Sequence, residues 1–169
     1  VSRVIYDPNL KEEHSKSWSA SVNYDKATEN FIAGFTLEGF YTHLNDAFIL
    51  ENIGNDEFGE IFEKQNGDGA TVQGITVELR ANYNKKVKLE TGFTFQTARF
   101  DNAVNYIDGI APTRDFLRTP NQYGFATLTM NATERLKINL NTVFTGSMKI
   151  AHFAGAPNQT TDEFVNTKT

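Results

Sequence analysis

The sequence predicts an all-β protein whose antiparallel, up-and-down strands form part of the wall of a transmembrane barrel. Three observations carry that expectation. Bulky apolar residues alternate with polar ones along five segments, which is the period of a strand with one wet face and one apolar face. These segments run to roughly the 9–11 residues that a tilted strand needs to cross a bilayer, beyond the ~5–6 of ordinary strands. The connections between them alternate strictly between short and long.

Taken in order, the first strand interleaves Trp18, Ala20, Val22 and Tyr24 with Ser17, Ser19, Ser21 and Asn23. The second sets Phe31, Ala33, Phe35, Leu37 and Tyr41 against Gly34, Thr36, Glu38 and Thr42. The third sets Ile75, Val77, Leu79, Ala81 and Tyr83 against Thr76, Glu78, Arg80 and Asn82. A fourth places Val87, Leu89, Phe93 and Phe95 opposite Lys88, Glu90, Thr94 and Gln96. Tyr123 to Met130 reads as a fifth strand, but Leu128 and Met130 are out of phase with Tyr123 and Phe125, so its faces stay unassigned. The last alternates Leu136, Ile138, Leu140 and Phe144 with Lys137, Asn139, Asn141 and Thr145. All the charges fall in the polar set. Alternation alone does not decide whether lipid or a second sheet covers the apolar set.

The short connections, Asp25 to Asn30, Asn84 to Lys86 and Asn131 to Arg135, are rich in Asn, Asp and Lys, as hairpin turns are. The long ones are expected over Glu51 to Asn66, Asp101 to Pro120 and from Ala151 onward. Successive antiparallel strands return to the same end at every second connection. The short turns must then share one rim, and the loops holding Asp56, Arg114 and Gly155 must share the other. Transmembrane barrels have such unlike rims, and a Greek-key sandwich has no cause to. Tyr24, Phe31, Tyr83, Phe100 and Tyr123 gather near strand ends, where interfacial girdles place aromatics. Negligible helix and no parallel pairing are expected.

Composition narrows the function. The 169 residues hold 14 Phe, 6 Tyr and 1 Trp, no cysteine, and a net charge of -5 with mixed signs. The charge argues against a nucleic-acid partner, and the absence of cysteine removes disulfides, CxxC motifs and thiolate zinc sites. No apolar run reaches the length of a transmembrane helix. Val1 carries no signal-peptide pattern and Asn166 to Thr169 reads as loop, so both ends are expected to be cut from a longer parent.

A series of strand-entry motifs then points to one family. Asp7-Pro8-Asn9-Leu10-Lys11-Glu12-Glu13, leading to Trp18, resembles the "NPxLKPE" entry of TonB-dependent receptors, with Glu12 where the family often has Pro. Arg118-Thr119-Pro120-Asn121-Gln122-Tyr123-Gly124 resembles their "RTPxHxG" strand start, and Gly74-Ile75-Thr76-Val77-Glu78-Leu79 is similar to their "GVELEL" strand. Thr145-Gly146-Ser147-Met148 with His152-Phe153-Ala154-Gly155 is similar to a loop start of Bacteroidetes members. The resemblance implies a barrel of roughly 22 strands closed by an N-terminal plug and lying in the cell outer membrane. Residues 1–169 would then be a partial barrel of about six strands from its C-terminal half, with the plug, TonB box and C-terminal strands outside it. The implied partners are outer-membrane lipid, the TonB complex acting through the plug, and a small-molecule nutrient complex such as a ferric siderophore, haem or cobalamin. The alternatives from the residues alone are a passive porin-like barrel and a soluble β-sandwich binding module.

No catalytic, cofactor-binding or metal site is expected, and no enzyme. The histidines His14, His43 and His152 lie in or near loops and strand ends, and no HExxH or GxSxG motif occurs. Gly54 to Glu60 is acidic without calcium-loop spacing, and Asn66-Gly67-Asp68-Gly69 reads as a turn. Ligand contact is assigned to the long loop over Asp101 to Pro120, through Tyr106, Arg114, Asp115, Phe116 and Arg118, because long loops on a rigid scaffold carry binding.

Overall fold

The computed structural model describes residues 3–106, 109–152 and 161–167, and among them there is no helix. The strands are β1 (Arg3–Tyr6), β2 (His14–Ala27), β3 (Phe31–Asn45), β4 (Phe48–Asp56), β5 (Gly59–Asn66), β6 (Ala70–Tyr83), β7 (Val87–Val104), β8 (Thr113–Asp115), β9 (Gln122–Thr133), β10 (Leu136–Thr145), β11 (Lys149–His152) and β12 (Glu163–Asn166). One large antiparallel sheet runs in the order β10-β9-β7-β6-β3-β2, with β8 attached to β7. Among the described residues no ladder joins its edges β2 and β10, so the sheet is an open wall.

Cross-strand pairs in an antiparallel ladder share a face, so the register assigns every side chain. Val22, Leu37, Val77, Phe93, Gly124 and Phe144 form one continuous row. Trp18, Phe35, Leu79 and Leu140 lie on the same face, and Glu38, Glu78, Arg80 and Lys88 on the other, as the alternation predicts. The faces of β9 also resolve. Leu128 and Met130 join the apolar face, while Tyr123 and Phe125 join the polar one. Phe125 fits there because its partner Gly92 has no side chain. A Cβ on Gly92 would lie 2.6 Å from the Phe125 ring.

The short turns share one rim. Asn84 and Lys85 have φ of 51° and 56°, and Lys86 N–H donates to the Tyr83 carbonyl at 2.9 Å, which is the two-residue turn whose twist suits a hairpin. Neighbouring turns bond to it, Asn84 N–H to the Asn30 carbonyl and Asn131 N–H to the Lys86 carbonyl, both at 2.8 Å. The regions of Asp56 and Arg114 lie beyond the opposite ends of the strands; Gly155 lies outside the described residues.

Two expectations need correction. Glu51 to Asn66 is no open loop, because β4 and β5 pair as a hairpin with a bulge between Asn52 and Gly54. That bulge, with Gly54 at φ 133°, breaks the period by which the strand would be read. Parallel pairing also occurs, between β1 and β5 in the small sheet β1-β5-β4. Both strands descend toward the long-loop rim, one to enter β2 and the other to enter β6, so they must run side by side in one direction. The Asn66 side chain ties these segments together, accepting from Lys11 N–H at 2.6 Å and donating to the carbonyls of Lys11 and Asp46 at 2.9 and 2.8 Å. The expected Asp7–Leu10 entry is a tight turn, with Asp7 Oδ1 accepting from Asn9 N–H at 2.8 Å.

Among the described residues only Ala47, Ala70, Gly92, Thr94, Ala98, Gly124 and Gly146 are buried, and none of them has a large side chain. Among the described residues no second layer covers the apolar face, and Trp18, Val22, Ile75, Leu79, Phe95 and Leu140 all lie more than half exposed. An uncovered apolar surface of this extent marks a membrane or partner surface.

Candidate ligand-facing surface

The polar face is a wall of paired groups. Arg80 reaches across Gly34 to Asp25 two strands away, with Nε to Oδ1 at 2.8 Å and Nη2 to Oδ2 at 2.7 Å, while Nη1 donates to Thr36 Oγ1 at 2.9 Å. Only glycine permits that span, since a Cβ at Gly34 would stand 2.0 Å from Asp25 Oδ1. Lys88 meets Glu90 at 2.9 Å, Thr36 donates to Asn23 at 2.6 Å, and the hydroxyls of Thr76 and Thr94 meet at 2.9 Å. The wall is therefore hydrophilic, with part of its charge paired within it and Glu38 and Lys137 left without an ion-pair partner among the described residues.

Above the wall, the long-loop rim gathers the predicted contact residues, and most of them hold the rim together. Asp115 in β8 accepts from Lys149 of β11 and pairs with Arg99 of β7 at 3.3 Å. The Lys149 hydrogen bond, then the Arg99 charge, hold this carboxyl below the usual aspartate range. Phe116 packs against Phe100 with ring centres 4.3 Å apart and the planes tilted by 36°, and its N–H donates to the Ala98 carbonyl. Tyr106 sits edge-on to Phe164 of β12 at 6.3 Å, and burial raises its phenol above the ordinary value.

The two arginines differ. Arg114 Nε donates to the Phe100 carbonyl at 2.8 Å. Arg118 takes a left-handed φ of 57° and its N–H donates to the Lys149 carbonyl. Both side chains are exposed, and no described residue partners the Arg118 guanidinium. The structure thus brings Asp115 together with Arg99 and Lys149, and Phe116 with Phe100. Lys149, Arg99 and Phe164 were missed in the sequence because their partners lie 16 to 58 residues away. For Lys149 the available signal was a cation just after the Thr145-Gly146-Ser147 strand end.

Other polar clusters are occupied. Asp56 caps Phe58 N–H and Gly59 N–H at the β4–β5 tip and pairs with Arg3 at 3.0 Å. His43 Nδ1 meets Thr71 Oγ1 at 3.1 Å, and its Nε2 lies 3.8 Å from Asp101. Among the described residues no three His, Asp or Glu side chains converge as a metal site would require.

The family model described as TonB dependent receptor-like, beta-barrel matches residues 1–147. The siderophore receptor PirA from Pseudomonas aeruginosa is similar in fold, with a TM-score of 0.58 at 17% identity over 90% of this chain and 26% of that one. PirA from Acinetobacter baumannii gives 0.54 at 15% identity, over 90% of this chain and 24% of that one. The chain therefore spans about a quarter of the length of these receptors. No curated protein matches it.

Proposed function

The chain belongs to the TonB-dependent receptor-like β-barrel family, and on that premise we propose that it is part of the barrel wall of an outer-membrane uptake receptor. The receptor takes up a scarce nutrient complex such as a ferric siderophore, haem or cobalamin, and performs no chemistry on it. In this reading residues 1–169 contribute about six of roughly 22 strands, and β2 and β10 pair with strands supplied by the rest of the receptor. Outer-membrane lipid covers the apolar face. The TonB complex acts through a plug outside this chain, and Arg114 and Arg118, with Tyr106, Asp115 and Phe116 behind them, meet the incoming complex.

The observation that carries this reading is the two-faced sheet. Its apolar face is uncovered and bounded by aromatics at both ends, Tyr24, Phe31 and Tyr83 near the short turns and Trp18, Tyr41 and Phe95 toward the long loops. A water-soluble sandwich would bury that face, whereas lipid replaces the missing layer at no cost. The test deletes the gene of the full receptor and measures uptake of labelled ferric siderophore, haem and cobalamin, with and without a protonophore. Loss of one uptake activity, itself protonophore-sensitive, is the expected result. Uptake that persists without the proton gradient would favour the porin-like alternative, and unchanged uptake of all three would overturn the assignment.

A further inference from the structure

We propose that Lys149 is a positioning residue that locks the rim segment 113–118 and the β11–β12 hairpin into one body, and so holds Arg118 set for the incoming solute. The role of Arg118 rests on the uptake reading above, while the lock stands on the geometry. Lys149 grips the segment at both ends. Its Nζ donates to the Asp115 carboxylate and to Thr113 Oγ1, the latter at 3.4 Å, and its carbonyl accepts from Arg118 N–H at 2.8 Å. The same residue opens β11, which pairs with β12 from Lys149 and Asn166 to His152 and Glu163. Next to it, Met148 N–H donates to Thr167 Oγ1 at 2.9 Å, and the Met148 carbonyl accepts from Thr167 N–H at 2.8 Å. Lys149 Nζ also lies 6.0 Å from the Phe164 ring centre, at the limit of a cation–π contact.

The large sheet fixes neither segment by itself. β8 meets β7 at two register points, Arg99 with Asp115 and Val104 with Thr113, and the register shifts between them. Among the described residues no ladder joins β11 or β12 to the large sheet. Asp115 has a second cation in Arg99 at 3.3 Å, but the Arg99 side chain is 63% exposed against 30% for Lys149. Ion pairs open to water are worth little and strengthen as solvent is excluded. Lys149 is therefore the stronger tie.

Arg118 shows what the lock holds. Among the described residues four that are not glycine take a left-handed φ, and the other three are Asp46, Asn84 and Lys85. Asn84 and Lys85 form the hairpin turn whose twist calls for that conformation, and Asp46 has a short polar side chain that tolerates it. Neither reason applies to Arg118 at φ 57°. A left-handed arginine crowds its Cβ against the following carbonyl oxygen and persists only where its surroundings over-determine it. Here the Lys149 carbonyl holds the Arg118 N–H on one side, and Pro120 restricts Thr119 on the other. The Arg118 side chain is exposed and no described residue pairs with its guanidinium, so the strain serves no packing within the chain. It sets a cation in place before the solute arrives, which spares the ordering cost that a mobile loop meets on binding.

The experiment is hydrogen–deuterium exchange of the full-length receptor in detergent micelles at neutral pH, read by mass spectrometry. Lys149→Met keeps the carbonyl and most of the side-chain length but removes the ammonium. It should speed exchange about tenfold over 113–118 and 163–167 together, the effect of one charge-assisted hydrogen bond on local opening, and leave β3 and β6 unchanged. Lys149→Arg should restore wild-type exchange in both segments. Asp115→Asn, which also releases Arg99, should be at least as fast, and adding Lys149→Met to it should change nothing further, because the shared bond is already gone. Should Lys149→Met fail to assemble, Asp115→Asn tests the same lock from the other side. In the Lys149→Met background, Arg118→Gly should exchange more slowly over 113–118 than Arg118→Ala, because glycine takes a left-handed φ without strain. Faster exchange over 113–118 with 163–167 unchanged would overturn the single body. Additive effects of the two single variants, or no rescue by Lys149→Arg, would overturn Lys149 as the residue acting through Asp115, and equal exchange in the glycine and alanine variants would overturn the strain at Arg118. Fractionation separates this from the membrane reading: a receptor in the outer-membrane fraction whose 163–167 segment ignores Lys149→Met sinks the lock alone.

Discussion

Placing arginine at successive depths on the apolar face distinguishes lipid from water as its neighbour. Tyr83 and Gln73 bound this face on β6 and are ten residues apart. At ~3.4 Å per residue and a tilt of ~45°, that spans about 24 Å of membrane normal, close to the ~25 Å apolar band of outer-membrane barrels. Leu79 lies four residues in from Tyr83, about 10 Å deep on the same scale, and is 51% exposed. Leu79→Arg should therefore cost ~2–4 kcal/mol, against ~0–1 kcal/mol for Gln73→Arg at the boundary. The polar-face control Asn141→Arg should stay within ~0.5 kcal/mol, as surface substitutions do. Denaturant titration of the full receptor folded into phospholipid vesicles reads all three. If Leu79→Arg costs no more than Gln73→Arg, the face does not meet hydrocarbon.

Three further outcomes follow from the geometry. Gly124→Ala should cost ~1–3 kcal/mol in the same titration, because its Cβ would stand 2.5 Å from the Gly92 carbonyl and 2.7 Å from the Phe93 ring, whereas Gly39→Ala should be neutral; equal costs would contradict the packing. The folded-state pKa of Asp115 is lowered, so its bridge to Lys149 and Arg99 stabilises the rim above the ordinary aspartate value and is lost as pH falls through the lowered one. Hydrogen exchange over residues 113–118 should thus accelerate only at strongly acid pH, and Lys149→Gln should move that onset upward; a pH-indifferent rim would contradict the clamp. Arg118→Ala should weaken capture of an anionic nutrient complex about tenfold, the value of a charge-assisted hydrogen bond, with unaltered thermal unfolding, while Arg114→Ala should also raise exchange near Phe100, whose carbonyl it holds.

Much of the wall was legible because a period of two survives wherever one face is dry. Trp18, Phe35, Leu79 and Leu140 could be placed on one face from sequence, and the short turns were read from their Asn, Asp and Lys. β9 was not readable because Phe125 spends its apolar surface on Gly92 of the neighbouring strand, a compensation no single-strand pattern encodes. The β4–β5 hairpin was hidden by the bulge at Gly54 and by acidic residues that look like loop, although Phe48 to Asn66 pairs along its length. Reading the candidate rim was harder for a different reason. Asp115, Phe116 and Tyr106 have the residue types of a binding loop, yet their nearest partners, Arg99, Lys149, Phe100 and Phe164, arrive from β7, β11 and β12.

Cysteine is absent from this chain, and in a full receptor whose other cysteines, where present, are replaced, single cysteines at the two rims report their sides of the membrane directly. Asn55, at the tip of the β4–β5 hairpin, and Lys85, in the β6–β7 turn, lie at opposite ends of the structure. A membrane-impermeant maleimide applied to intact cells carrying the full receptor should label Asn55→Cys. It should leave Lys85→Cys unmodified until the outer membrane is opened. The reverse pattern would invert the wall, and equal labelling at both sites in intact cells would contradict its placement across the membrane.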